Sequence, residues 1–197
     1  MTPKTRAKGS DQAIDSLVVT VIPESTVNSL TNWLTDEATD GFGWGAELPA
    51  AYNALSSGNS DPEPAGADNW RGVNPQDSYY HPASYFEMRS EETDSGHGHQ
   101  ACYDDHGNII LNGISAGSAD KATPILYKPW TLLKHRDLDV RPFIWASQMD
   151  GNPVQGEDQN RKLSAPILHE GYFLDAYLMA RPSNPTGTIA PGTVPAP

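Results

Sequence analysis

The sequence predicts an α+β fold built mostly of short antiparallel strands, with two or three flanking helices and extended termini. Three observations predict it. Glycine and proline, 17 of each in 197 residues, run above ordinary usage and imply many turns and short elements. Hydrophobic content is only 37%, yet five Trp and eight Tyr are enough to anchor a core. Helical and strand periodicities are both present, and the length suits one domain with a core of its own.

Ala13–Pro23 is rich in β-branched residues and closes on a proline, which predicts a buried strand. A helix follows: Ser25 or Thr26 can cap it, Val27, Leu30, Trp33 and Leu34 fall on one stripe, and Gly41 stops it. A second, short helix is expected over Leu48–Gly58, with Pro49 tolerated in its first turn. Residues 57–76 form a long Gly/Pro/Asp-rich loop, pinned at Trp70. Strands are expected around Ala83–Met88 and over residues 108–114, 125–133 and 142–149, each bounded by Gly, Pro or Asn. Asp150-Gly151 signals a tight turn, and residues 169–181 a last helix with Leu174, Tyr177 and Leu178 inward.

Residues 1–12 then form a basic arm (Lys4, Arg6 and Lys8 against Asp11), residues 13–181 a single domain, and residues 182–197 a proline-rich tail of polyproline-like character. The formal charge of −12 disfavours nucleic acid and anionic lipid, which require a basic face. The single cysteine excludes an internal disulfide framework. No apolar run reaches the ~20 residues that span a bilayer, and no signal-peptide core is present. The expectation is a chain made in the cytoplasm without membrane insertion, acting there, in a virion or after delivery outside the cell. Protein partners are expected to meet the arm and the tail in an oligomeric assembly.

Candidate chemistry concentrates in two places. Ser95–Gly113 holds three of the six histidines, the only cysteine and an acidic pair. Extended geometry puts His97 and His99 on one face with Tyr103 and Asp105, and Cys102, Asp104 and His106 on the other. His97 and His99 are therefore the pair in this stretch that can share a divalent metal ion; no other cofactor is expected. The second place is residues 134–143, where His135 has Asp137 and Asp139 nearby. His135 with Asp139 or Asp120 suits an acid/base pair, and Cys102 is the available nucleophile. Against these stand plainer readings: a buried apolar cysteine and a solvated charged turn. No Walker A loop, dinucleotide fingerprint, Gly-x-Ser-x-Gly elbow or His-Glu-x-x-His is present. Residues 113–121 are read as a wide turn able to form an anion nest.

Tyr103, Asp104, Gly107, Asn108 and Ile109 match the pattern of the YD repeat, and residues 103–109 resemble a single unit of Rhs-type proteins. The resemblance implies a β-hairpin, with Asp and Gly making the turn. Residues 99–124 also look similar to an uncharacterised bacterial module with Cys-Tyr-Asp and a later Gly-x-x-Asp-Lys.

Three functions of different class follow. The first is a non-enzymatic component of a larger assembly, such as a phage particle or contractile injection apparatus. The second is a delivered antibacterial effector with hydrolase activity carried by His135 and Asp139, with Cys102 or the His97/His99 pair. The third is an adhesin-like module using exposed aromatic residues.

Overall fold

The computed structural model describes residues 21–54, 70–73, 80–156, 162–163, 166–183 and 190–193. The basic arm, the first part of the strand expected from Ala13, and most of the 57–76 loop lie outside them. Val21–Pro23 carries no strand.

Helix α1 spans Glu24–Asp40. It starts at Pro23, whose fixed φ sets the entry and whose carbonyl accepts the Thr26 N–H at 2.9 Å. Neither Ser25 nor Thr26 caps it. Thr26 is instead buried, and its hydroxyl donates to Gln148 Oε1 at 3.2 Å, tying α1 to a later helix. Gly41, at φ 68°, ends α1 as expected. A 3₁₀ turn covers Gly43–Glu47. Over residues 48–54 the helix expected from Leu48 is replaced by extended chain and strand β1, Tyr52–Ala54; residues 55–58 of that expectation lie outside the described residues. Residues from the proline-rich end (β8, Ala190–Thr193) pair with it in parallel, so residues 190–193 of that tail form a strand. Pairing between distant segments has overridden local propensity at both positions.

The main sheet is antiparallel, in the order β2 (Trp70–Val73), β3 (Phe86–Ser90), β4 (Gly98–Tyr103), β5 (Ala119–Asp120). Opposed residues share a face, so Glu87↔Cys102, Arg89↔Gln100 and Gly98↔Asp120 put one polar set on one side. The alternate residues Met88, Ala101 and Tyr103 are buried on the other, with Ala51 and the half-buried Phe86 and Ile109. β4 leads into the turn expected at residues 103–109. The Asp104 carboxylate accepts the His106 and Asn108 N–H groups at 2.9 and 2.8 Å, Gly107 takes φ 78°, and Tyr103 bridges Ile109. Beyond Ile109 the strand expected to Ile114 does not continue.

Residues 129–149 correct two strand expectations. They form α2 (Pro129–His135), a π-helical turn (Arg136–Val140) and α3 (Arg141–Met149) without a break. Pro129 occupies the first turn, where a missing N–H is harmless. Pro142 accounts for the π turn: its ring cannot donate to the carbonyl of Leu138 and clashes with it, and an added residue relieves the clash. The freed Leu138 carbonyl accepts Trp33 Nε1 from α1 at 3.3 Å. Apolar runs of this length fit helix or strand equally well by periodicity, which explains the misreading.

The Asp-Gly turn is formed, with Gly151 at φ 89°. A short hairpin follows, β6 (Val154–Gln155) with β7 (Lys162–Leu163). Helix α4 runs Tyr172–Ala180 with Leu174 and Tyr177 buried. Its first N–H groups are satisfied by Asp150, which accepts from Phe173 at 3.2 Å and Leu174 at 2.7 Å. The three helical bodies close around Leu30, Trp33, Ile114, Phe143, Ala146, Leu174 and Tyr177. Trp33 stacks on Tyr177 at 5.3 Å, and Phe143 meets Tyr177 edge-on. Among the described residues no helix is long and apolar enough to cross a membrane.

Candidate active site

Between the polar face of the sheet and the helices lies a cavity of about 200 Å³. Alternating strand residues with charge at every second position normally face water; here the helices cover them. Glu87, Arg89 and Gln100 line the cavity from the sheet, Asp120 from its edge, and His135, Asp139 and Tyr177 from the helices.

His135 and Asp139 stand four residues apart and so share a helical face. The His135 Nδ1–H donates to Asp139 Oδ2 at 3.3 Å, and Asp120 Oδ1 lies 3.9 Å from the same nitrogen. No hydrogen bond occupies Nε2 among the described residues. Asp139 sits in the π turn and is buried. It also accepts the backbone N–H groups of Lys121 (2.9 Å) and Ala122 (3.1 Å) and the Nε–H of Arg181 (3.3 Å). Asp120 is paired with Arg89, and Arg89 also donates to Gln100 Oε1 at 2.9 Å. Gln100 in turn donates to Glu87 Oε2 at 2.8 Å.

Behind Asp139 the network runs to the end of α4. Arg181 has no exposed side-chain surface, chelates Glu37 through both terminal nitrogens, and lies 5.1 Å from the ring centres of Trp33 and of Trp44. Lys121 reaches Glu37 and Asp40 at 3.3 and 3.0 Å. Burial alone would raise the Glu37 pKa, but Arg181 and Lys121 outweigh it and hold the carboxyl below its usual range. Burial also raises the Tyr80 phenol, and burial beside Asp139 raises Tyr177 well above its ordinary value, so both remain neutral phenols. The Tyr177 hydroxyl donates to the Asp139 carbonyl at 3.1 Å.

Of the residues singled out from the sequence, His135, Asp139 and Asp120 come together. Cys102 is fully buried and does not line the cavity; burial, then the charge of Glu87, push its thiol far up. That environment disfavours a free thiolate nucleophile. Both ring nitrogens of His99 face backbone carbonyls, Pro49 at 3.1 Å and Ser183 at 2.6 Å, and burial lowers its pKa. His97 Nδ1 faces the Lys121 carbonyl at 2.7 Å, and its ring lies against Trp44. These two imidazoles are engaged in holding chain segments together. Sequence reading missed Glu37, Glu87, Arg89, Gln100 and Arg181. The Glu87-Met88-Arg89 alternation was the available signal, but it does not say that helices cover the charged face.

No family model, curated protein or solved structure matches this chain.

Proposed function

We propose that the chain is a hydrolase in which His135 is the general base, in keeping with the effector reading of the sequence. One observation carries this: His135 is held through Nδ1 by Asp139, with the Asp120 carboxylate 3.9 Å away, at the wall of a cavity, and Nε2 is unengaged among the described residues. A carboxylate on Nδ1 fixes the ring and its tautomer and stabilises the imidazolium formed when Nε2 takes a proton. A water activated at Nε2 attacks an electrophilic centre bound in the cavity. Arg89 keeps N–H groups beyond those given to Asp120 and Gln100, and these supply positive charge where negative charge develops. Tyr80, a neutral phenol at the wall, is the proton donor to the leaving group.

The test is expression in a bacterial cytoplasm and in a periplasm. Wild-type chain should arrest growth in one compartment, and His135→Ala and Asp139→Asn should relieve the arrest while keeping a folded circular dichroism spectrum. Absence of toxicity in both compartments would contradict the effector reading.

A second reading, a component of a protein assembly, is supported by a different surface. Leu126, Tyr127 and Trp130 are 79%, 80% and 59% exposed within five residues, with Leu133 one turn further on. Apolar side chains clustered in this way are a feature of protein contact sites. Trp130→Ala should abolish incorporation into an assembly; unchanged incorporation would count against this reading.

A further inference from the structure

A second buried cluster, two of whose members line the cavity, goes beyond acid–base catalysis and does not depend on it. His81, Glu87 and Cys102 are all buried, and one donor atom from each lies within 4.8 Å of the others. Glu87 is only 4% exposed, and no Lys, Arg or His pairs with it among the described residues. One of its oxygens accepts from Gln100; the other, Oε1, is buried with no hydrogen-bond partner. A buried carboxylate is ordinarily paired or bound to a cation, because desolvating an uncompensated charge is costly. His81 is arranged as a metal ligand is: its Nδ1 faces the Ile114 carbonyl at 3.2 Å, so Nδ1–H donates there and Nε2 keeps its lone pair.

We propose that His81, Glu87 and Cys102 bind one divalent transition-metal ion of the zinc type. Nitrogen, oxygen and sulfur donors together suit a borderline ion such as zinc and are a poor set for calcium or magnesium. Bonds of about 2.0–2.3 Å in a tetrahedral site bring donors to within about 4 Å of one another, so closing on the ion requires shifts of about 1 Å or less. Binding replaces the Cys102 S–H by an S–metal bond and releases that proton to solvent. The two anionic ligands then balance the dication in a buried place. His81 and Glu87 line the cavity. Three protein donors leave a fourth position for water or substrate, as in catalytic zinc sites.

The neighbouring group of Asp120, His135 and Asp139 has comparably close donor atoms but a different state. Both oxygens of Asp139 already accept two donors, and Asp120 and Asp139 are each paired with an arginine. A dication there would displace those bonds and face two guanidinium groups.

The experiment is titration of metal-free full-length protein with Co²⁺, followed by Zn²⁺ competition and elemental analysis of dialysed samples. One equivalent of Co²⁺ should bind with thiolate-to-cobalt charge-transfer absorption and be displaced by Zn²⁺. Glu87→Gln and Cys102→Ser should weaken binding by at least about 10–100-fold, the loss typical of disturbing even the outer contacts of such a site. Asp120→Asn should leave it unchanged. The wild-type spectrum reports the thiolate directly, so the proposal is testable even where Cys102→Ser fails to fold. No stoichiometric binding by wild-type protein overturns it. So does binding that lacks the charge-transfer band and disappears in Asp120→Asn, because the ion would then sit on the other group.

Discussion

Replacing Arg181 by methionine removes the cation that joins α1, the π turn and the end of α4. The side chain has no exposed surface and holds Glu37 through two N–H groups and Asp139 through a third. The change leaves Glu37 with Lys121 alone and takes one donor from Asp139. Taking one partner from a buried ion pair costs about 3–5 kcal/mol. For a chain of this length about 1 kcal/mol moves the midpoint by about 2–4 °C, so Tm should fall by about 6–20 °C. Arg181→Lys keeps the charge but loses the two-pronged grip, and should fall between wild type and Arg181→Met. Urea denaturation of the single variants and of Glu37→Gln/Arg181→Met closes the cycle. The double variant should recover part of the loss, since no unpaired carboxylate remains at residue 37. A loss under about 1 kcal/mol for Arg181→Met, or strict additivity in the cycle, would refute the reasoning.

Glu37 has a carboxyl pKa held below its ordinary value, so its contribution is complete above that ordinary value and is lost as pH falls through the lowered one. Urea midpoints across acidic pH should show this loss, and Glu37→Gln should remove it. Tyr177→Phe deletes the donor to the buried Asp139 carbonyl and should cost about 1–3 kcal/mol by thermal denaturation. Gly117→Ala would put a Cβ 1.9 Å from the Gln100 carbonyl oxygen and 2.9 Å from the Ala101 Cα; backbone must move, and the loss should reach about 1–3 kcal/mol or more. Trp130→Ala, at an exposed site, should leave the unfolding free energy from urea denaturation within about 0.5 kcal/mol of wild type.

The α+β class was legible because turn residues are dense and the Leu30/Trp33 stripe is unambiguous. The helix over residues 129–149 was not. Its two prolines look like boundaries, and only packing shows that Pro129 starts it and that Pro142 is absorbed by a π turn. His135 and Asp139 were legible as a pair, although the charges of residues 134–139 have the look of a solvated turn and hide the helical spacing that aligns them. Arg181 carries no local signal, since its partners lie 144 and 42 positions away. Glu87 and Arg89 alternate with Phe86 and Met88 as a solvent-facing set would. Only the helices lying over that face make them part of a site.

The central claim is that the cavity is a hydrolytic centre with His135 as base. The most direct test compares wild type and His135→Gln, at matched folded fraction, on ester, amide, phosphodiester and glycoside substrates. Wild-type protein should turn over at least one class, and His135→Gln should lower that rate by about 10²–10⁴-fold. Turnover that survives His135→Gln unchanged, or no turnover of any class by wild-type protein, would contradict it.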